Sequence, residues 1–399
     1  MIYMQKLLMT NEELKRKDAF NTANEIVQQP ELFLKIYNQV KSEMKKINVF
    51  FNNYLPQAEK IILTGAGTSS FIGLSLKGSF FNNMRIHTES IPSTELVTHP
   101  YYYFSNKSKI ILFSFARSGN SPESTAVVNF ADSICEKVYH VIITCNSEGK
   151  LATFASMNDK LVITLPPESN DKGLAMTSSY SGMLLTGLLI SRINQIENLY
   201  PQIKLLKDYT QDVIDHDKES IKSFAEKNFN RAVYLGSGPL VGTAFEGHLK
   251  LQEMTDGEVI CKKDSYLGFR HGPKAVINKE TALIYLLSNK AYTSKYEDDL
   301  IYSIENDNQS SKKCIGIFEK DSRDHNFDLS INLSKGKNYD YQLEEEFLPV
   351  CSIVPLQMLA FFKSLFLGYK PDNPSESGTI SRVVEGVNIY PLEKNTVNK

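Results

Sequence analysis

The chain lacks most marks of a secreted, membrane-bound or nucleic-acid-binding protein. It has five cysteines in 399 residues, none in a Cys-x-x-Cys pair. That argues against a disulfide framework or a zinc ribbon, and the expected setting is reducing and cytoplasmic. It has no excess of either charge: 44 Lys and Arg against 46 Asp and Glu leave a net charge of -2. No global field therefore draws it to nucleic acid or to an anionic membrane. Long apolar runs are also missing. The most apolar stretch, residues 347–362, holds Pro349, Pro355 and Gln357 and is shorter than the roughly 18 residues of a membrane span, so a buried helix is expected. Leu7, Leu8 and Met9 form a small apolar patch, but Glu12, Glu13, Lys15, Arg16 and Lys17 follow at once, and no secretory signal is expected. No His, Cys, Asp or Glu cluster has metal-ligand spacing, and neither a metal nor a cofactor is expected.

What is present is a globular composition, 42% apolar and 23% charged, with length for two or three domains, and an internal repeat. Residues 60–64 lead into Gly65-Ala-Gly67-Thr-Ser-Ser70, and residues 232–235 lead into Gly236-Ser-Gly238-Pro-Leu-Val-Gly242. Further apolar runs follow the first turn at 85–91, 109–115, 139–144 and 160–165. They follow the second at 258–261, 282–287, 313–318 and 327–333. The runs are rich in Ile, Val, Leu and Tyr without polar alternation, as in strands covered on both faces. With helical stretches between them, they predict two doubly wound α/β domains, each on a five-stranded parallel sheet. The expected division is a helical segment (1–54), a first domain (55–200), a helical connector (201–229), a second domain (230–370) and a tail (371–399). Residues 181–194 and 348–367 are the expected closing helices.

Open parallel sheets bind ligands beyond the carboxyl ends of their strands, and there the first half carries three hydroxyl-rich loops. Thr68, Ser69 and Ser70 follow the first strand. Arg117, Ser118, Asn120, Ser121 and Ser124 follow the third, and Thr177, Ser178 and Ser179 follow the fifth. Hydroxyls and helix-start N–H groups at one sheet edge suit a polyoxygenated anion such as a phosphate, and Arg117 could add a full positive charge. Such residues are also ordinary caps and turn formers, with Pro122 suited to a first helical position and Ser121 or Asn120 to its cap. A dinucleotide site is the rival: Gly65 and Gly67 begin such a fingerprint and Glu89 could mimic its ribose acid, but it leaves the other two loops unexplained.

The second half has ionisable residues in place of hydroxyls. Glu246, Lys250 and Glu253 share one helix face. That pattern also describes a solvated helix. The nearby loop Gly268-Phe-Arg-His271-Gly-Pro273 adds a histidine that could act as an acid or base with those carboxylates. His248 lies off that face.

These residues resemble SIS (sugar isomerase) domains, and the tandem arrangement is similar to the isomerase half of glucosamine-6-phosphate synthase. Glu25-Ile-Val-Gln-Gln-Pro30, Thr98-His-Pro100, Met176-Thr-Ser-Ser179, Gly268-Phe-Arg-His-Gly-Pro273 and Asp372-Asn-Pro-Ser-Glu-Ser-Gly-Thr379 resemble the galactosamine-6-phosphate deaminase family. Many of its members are labelled tagatose-6-phosphate ketose/aldose isomerase. The resemblance implies two flavodoxin-like SIS domains and a phosphorylated amino sugar as substrate. It implies phosphate contacts from Ser69, Ser118 and Ser121; the loops themselves add Arg117 on the phosphate and Thr68, Thr177 and Ser178 on the phosphate or sugar. It makes Glu253 the base between C1 and C2, Lys250 its neighbour, and His271 the ring opener, donated across a homodimer or higher oligomer. Two departures stand out. Ala116-Arg117 replaces a Ser/Gln pair of the synthase, and the synthase's tail lysine has no counterpart beside Thr379 and Arg382.

The implied reaction releases ammonia from galactosamine 6-phosphate and leaves tagatose 6-phosphate. Residue 2 is Ile and the first cysteine is Cys135, so no glutaminase nucleophile is expected and the expected net direction is release. Two alternatives stay open: aldose–ketose isomerisation without deamination, and a non-catalytic phosphosugar sensor. A sensor needs the hydroxyl loops but not Glu253 and His271, and residues 1–54 make a poor DNA-binding domain.

Overall fold

The computed structural model describes residues 5–307, 313–320, 325–337, 339–384 and 386–392. Residues 1–4 of the N-terminal segment and 393–399 of the tail lie outside the described residues. Ten strands form two separate parallel sheets. The first contains β1 (Lys60–Thr64), β2 (His87–Ser90), β3 (Lys109–Ala116), β4 (Lys137–Thr144) and β5 (Lys160–Thr164) in the order β2-β1-β3-β4-β5. The second contains β6 (Arg231–Leu235), β7 (Ile260–Asp264), β8 (Thr281–Leu286), β9 (Lys313–Phe318) and β10 (Leu329–Asn332) in the order β10-β9-β8-β6-β7. Read from the other edge, the second order is that of the first, so both halves share one doubly wound topology.

Central strands are buried along nearly their whole length, β3 and β4 from their second residue and β8 throughout. This is why the sequence shows them as unbroken apolar runs. β7 departs from expectation. The apolar run at 258–261 places it too early: it runs from Ile260 to Asp264, because this edge strand carries Lys262, Lys263 and Asp264 and is only half buried.

Two apolar helices close the halves. Ser178–Ser191 is buried at every residue and starts three residues before the expected 181. Leu348–Phe366 continues a short turn, so that Glu345–Phe366 is long and apolar enough to cross a membrane by length and composition. It is longer than the apolar run 347–362 suggests. Its most apolar window is 94% buried, and the helix packs against Leu240–Met254, Tyr200–His216 and Lys218–Ala225 in the core of the second half.

The two halves meet through the first helix of each, Thr68–Met84 and Leu240–Met254. Small residues make the approach close. A Cβ on Gly242 would lie 2.2 Å from Ser75 Oγ and 2.4 Å from the Phe71 carbonyl oxygen. Phe71 and Phe245 pack edge to face at 5.5 Å beside this contact. The crossing brings the end of the second helix over the start of the first.

Candidate active site

A cavity of about 510 Å³ opens at the carboxyl ends of β1 and β3. That is the place where the strand order of the sheet reverses and where ligands of open α/β sheets bind. The loop after β1 is fixed by its glycines. Gly67 has φ +53°, open to glycine at little cost. A Cβ on Gly65 would sit 2.7 Å from Ser69. The chain therefore turns tightly, and Thr68 and Ser69 open the helix with their side chains against the cavity. After β3, Ser118 and Ser121 line the same space with Ser124. Ser121 is the N-cap residue of helix Pro122–Ile134, with Pro122 in its first turn, but its hydroxyl donates to Ser124 Oγ at 2.7 Å and accepts from no backbone N–H of the helix.

The second half supplies the charged wall. Lys250 is wholly buried and donates to Glu253 Oε2 at 2.5 Å and to Thr68 Oγ1 at 3.1 Å. One ammonium thus joins the hydroxyl loop of one half to the carboxylate of the other. Burial alone would depress that ammonium, but Glu246 and Glu253 outweigh it and hold its pKa above the ordinary lysine value. Glu246, one turn back, lies 3.3 Å from Lys250 Nζ, yet neither of its oxygens has a hydrogen bond of good geometry. Burial pushes its carboxyl up to about 7, with Lys250 pulling it down and Glu253 adding to the rise. The fully buried carboxyl of this helix is therefore Glu246, whereas the Glu253 side chain is 23% exposed on the cavity side.

The remaining wall comes from the tail, residues 378–384, with Leu174 and Met176 beside it. Arg117 ties these together. Its buried guanidinium donates to the carbonyl oxygens of Gly173 (3.3 Å), Leu174 (3.1 Å) and Arg382 (2.5 Å). Burial lowers its pKa from the usual arginine value, opposed by Asp171. The charge expected to serve a phosphate is thus partly engaged by the protein's own backbone, although Arg117 still lines the cavity.

Three of the expected residues, Thr177, Ser178 and His271, do not line the cavity within this chain. Thr177 and Ser178 are fully buried and absent from the cavity wall. Asp171 accepts from the Thr177 and Ser179 backbone N–H groups at 2.8 Å, and from the Ser178 hydroxyl at 2.5 Å. These hydroxyls satisfy a buried carboxylate at a helix start and leave none for a ligand. His271 is exposed in the turn before Gly272, at φ +108°, and does not line the cavity within this chain. Thr68, Ser69, Arg117, Ser118, Ser121, Lys250 and Glu253 are brought together on one cavity. Ser124 of the second hydroxyl loop joins them there, and so do Met176 and the tail, which sequence reasoning did not assign to the site. The only signal for the tail was the Asp372–Thr379 motif. Among the described residues no group of three or more His, Cys, Asp or Glu is placed to hold a metal ion.

The family model of the SIS domain matches residues 54–191. A D-galactosamine-6-phosphate deaminase AgaS from Shewanella sp. (strain ANA-3) is 36% identical over 393 residues, covering 97% of this chain and 96% of that protein. A solved structure from Clostridium novyi NT, provisionally assigned as a tagatose-6-phosphate ketose/aldose isomerase, superposes with TM-score 0.92 at 38% identity, covering 98% of this chain and 100% of the other. The tagatose-6-phosphate ketose/aldose isomerase of Escherichia coli does so with TM-score 0.84 at 32% identity, covering 94% and 97%. Duplicated sheets and a cavity shared between them are the architecture of tandem SIS domains. Within that class, the chain belongs to the D-galactosamine-6-phosphate deaminase AgaS family.

Proposed function

We propose that the protein converts galactosamine 6-phosphate and water to tagatose 6-phosphate and ammonia. The observation that carries this reading is that Lys250 and Glu253 open on the same cavity as Ser69, Ser118 and Ser121. A sensor needs the hydroxyls alone. A buried cation touching a half-open carboxylate has a use where a proton moves and charge develops.

In this reading the Ser69, Ser118, Ser121 and Ser124 hydroxyls hold the phosphate, and Thr68 stays bound to Lys250. His271, from a second copy of the chain, opens the sugar ring, so the active species is at least a dimer. Glu253 takes the C2 proton and returns it to C1, while Lys250 stabilises the charge on O1. O1 gains a proton that the substrate ammonium gives up through solvent, leaving an imine at C2. Water adds there, ammonia leaves, and the ketose remains. Phosphosugars are made and kept in the cytoplasm, which is where such an enzyme would act.

The test is ammonia release from galactosamine 6-phosphate and, separately, glucosamine 6-phosphate, coupled to glutamate dehydrogenase. Ammonia from the galacto epimer alone is expected. No ammonia from either, in folded protein that binds both, would overturn deamination and leave plain isomerisation or sensing.

A further inference from the structure

The N-terminal helix Phe20–Val27 lies outside the SIS-matched residues, and its Glu25 opens a sequence motif that the proposed chemistry does not use. Glu25 is buried. Its Oε1 accepts from the backbone N–H groups of Lys172 at 2.5 Å and Gly173 at 3.2 Å. Its Oε2 is buried with no hydrogen-bond partner. The carbonyl oxygens of this same short loop face the other way. Those of Gly173 and Leu174 accept from Arg117, and that of Asp171 accepts from Arg382 Nε at 2.9 Å. Arg382 Nη2 also reaches Asn170 Oδ1 at 3.1 Å, and the Arg382 carbonyl in turn accepts from Arg117.

We propose that Glu25 is a positioning residue for the cavity: it holds residues 171–174 by their N–H groups, and that loop's carbonyls fix Arg117 and the tail at Arg382. A second contact supports the same frame. The Asp372 carboxylate accepts from the backbone N–H groups of Asn21 (2.9 Å) and Thr22 (2.7 Å). The Asp372 carbonyl accepts from the Leu174 N–H at 3.0 Å. A Cβ on Gly173 would meet Thr22 Oγ1 at 2.8 Å and Glu25 Oε2 at 3.1 Å, so helix and loop are in close contact. Burial, then the nearby Asp171 and Asp372 carboxylates, push the Glu25 carboxyl above the usual range. A neutral acid at neutral pH still accepts both N–H groups.

The test uses the full chain with Glu25→Ala and Glu25→Gln. Trypsin cleavage after Arg382 is followed by mass spectrometry, beside steady-state kinetics on galactosamine 6-phosphate. Glu25→Ala is expected to speed that cleavage about tenfold, as a local opening would. It should raise KM about tenfold and leave kcat within about threefold, because Glu253 and Lys250 sit on another helix. Glu25→Gln keeps an acceptor oxygen and should restore both readouts. Unchanged cleavage in Glu25→Ala, a fall in kcat alone, or no rescue by Gln would overturn the inference. If Glu25→Ala does not fold, amide exchange in the unaltered protein decides. Slow exchange at Lys172 and Gly173 supports the tie, and free-loop rates overturn it. The kinetic arm rests on the proposed function. The proteolysis and exchange arms do not, so a failed ammonia assay with a protected Arg382 would remove the function and leave Glu25 in its role.

Discussion

Lys250 donates to Glu253 from a wholly buried position, while the carboxylate it touches is partly open to the cavity. The pair is fixed on its closed side and accessible on the side where a substrate carbon would lie. Glu246 lies 3.3 Å from the same ammonium, so a second carboxyl favours the charge of Lys250 beside Glu253.

Replacing Glu253 by Gln removes the base and keeps the shape. Turnover is expected to fall by about a hundred- to ten-thousand-fold, the usual range for a general base, with phosphosugar binding retained by calorimetry. Near-parent turnover would show that Glu253 is not the base.

Glu246 gives a pH signature. Its carboxyl ordinarily titrates near 4.5 and is raised to about 7 in the fold. Between those values the folded chain holds a proton that the unfolded chain has lost, so this group makes stability fall as pH rises through the window and adds no further fall above about 7. Lys250, Glu253 and the Tyr180 hydroxyl from helix Ser178–Ser191 are the groups around it. In Glu246→Gln that fall should be missing. Melting curves of both proteins from pH 4 to pH 8 should therefore diverge upward through the window. A difference that is constant with pH would show that the fold does not raise the Glu246 carboxyl.

Gly242 and Gly78 make a matched pair for the contact between halves. A Cβ at Gly242 meets the Phe71 backbone and Ser75, whereas one at Gly78 meets nothing within 4 Å. Gly242→Ala should cost about 1–3 kcal/mol by overpacking and lower turnover by shifting Lys250 from Thr68. Gly78→Ala, on an exposed helix position, should gain about 0.5–1 kcal/mol. Equal melting temperatures in the two variants would show that the helices separate without strain.

The central strands were legible because a strand covered on both faces must be apolar throughout. β7 blurred because an edge strand with Lys262, Lys263 and Asp264 has water on one side. Ser69, Ser118 and Ser121 were legible for a topological reason: the ends of β1 and β3 are adjacent whatever the side chains do. Thr177 and Ser178 misled because a hydroxyl that caps and one that binds look alike in sequence, and Asp171 decides between them only in three dimensions. Glu246 and Glu253 lie on one helix face in the sequence, but only the packing of Thr68–Met84 buries one and leaves the other open. The tail has no periodicity to read, so only the Asp372–Thr379 motif pointed to it.

Arg117 reaches Arg382 across 265 residues of chain, and Asn21 reaches Asp372 across 351. Contacts so distant form late, since loop closure precedes them. A nascent chain still on the ribosome can therefore finish its first sheet, and present Ser69 and Ser118 in place, while having no pocket at all. It has neither helix Leu240–Met254, which carries Glu253, nor the tail residues that make the last wall. On the proposed function, a polypeptide whose synthesis has not reached residues 378–384 has no closed site for a sugar phosphate, and turnover waits on those residues.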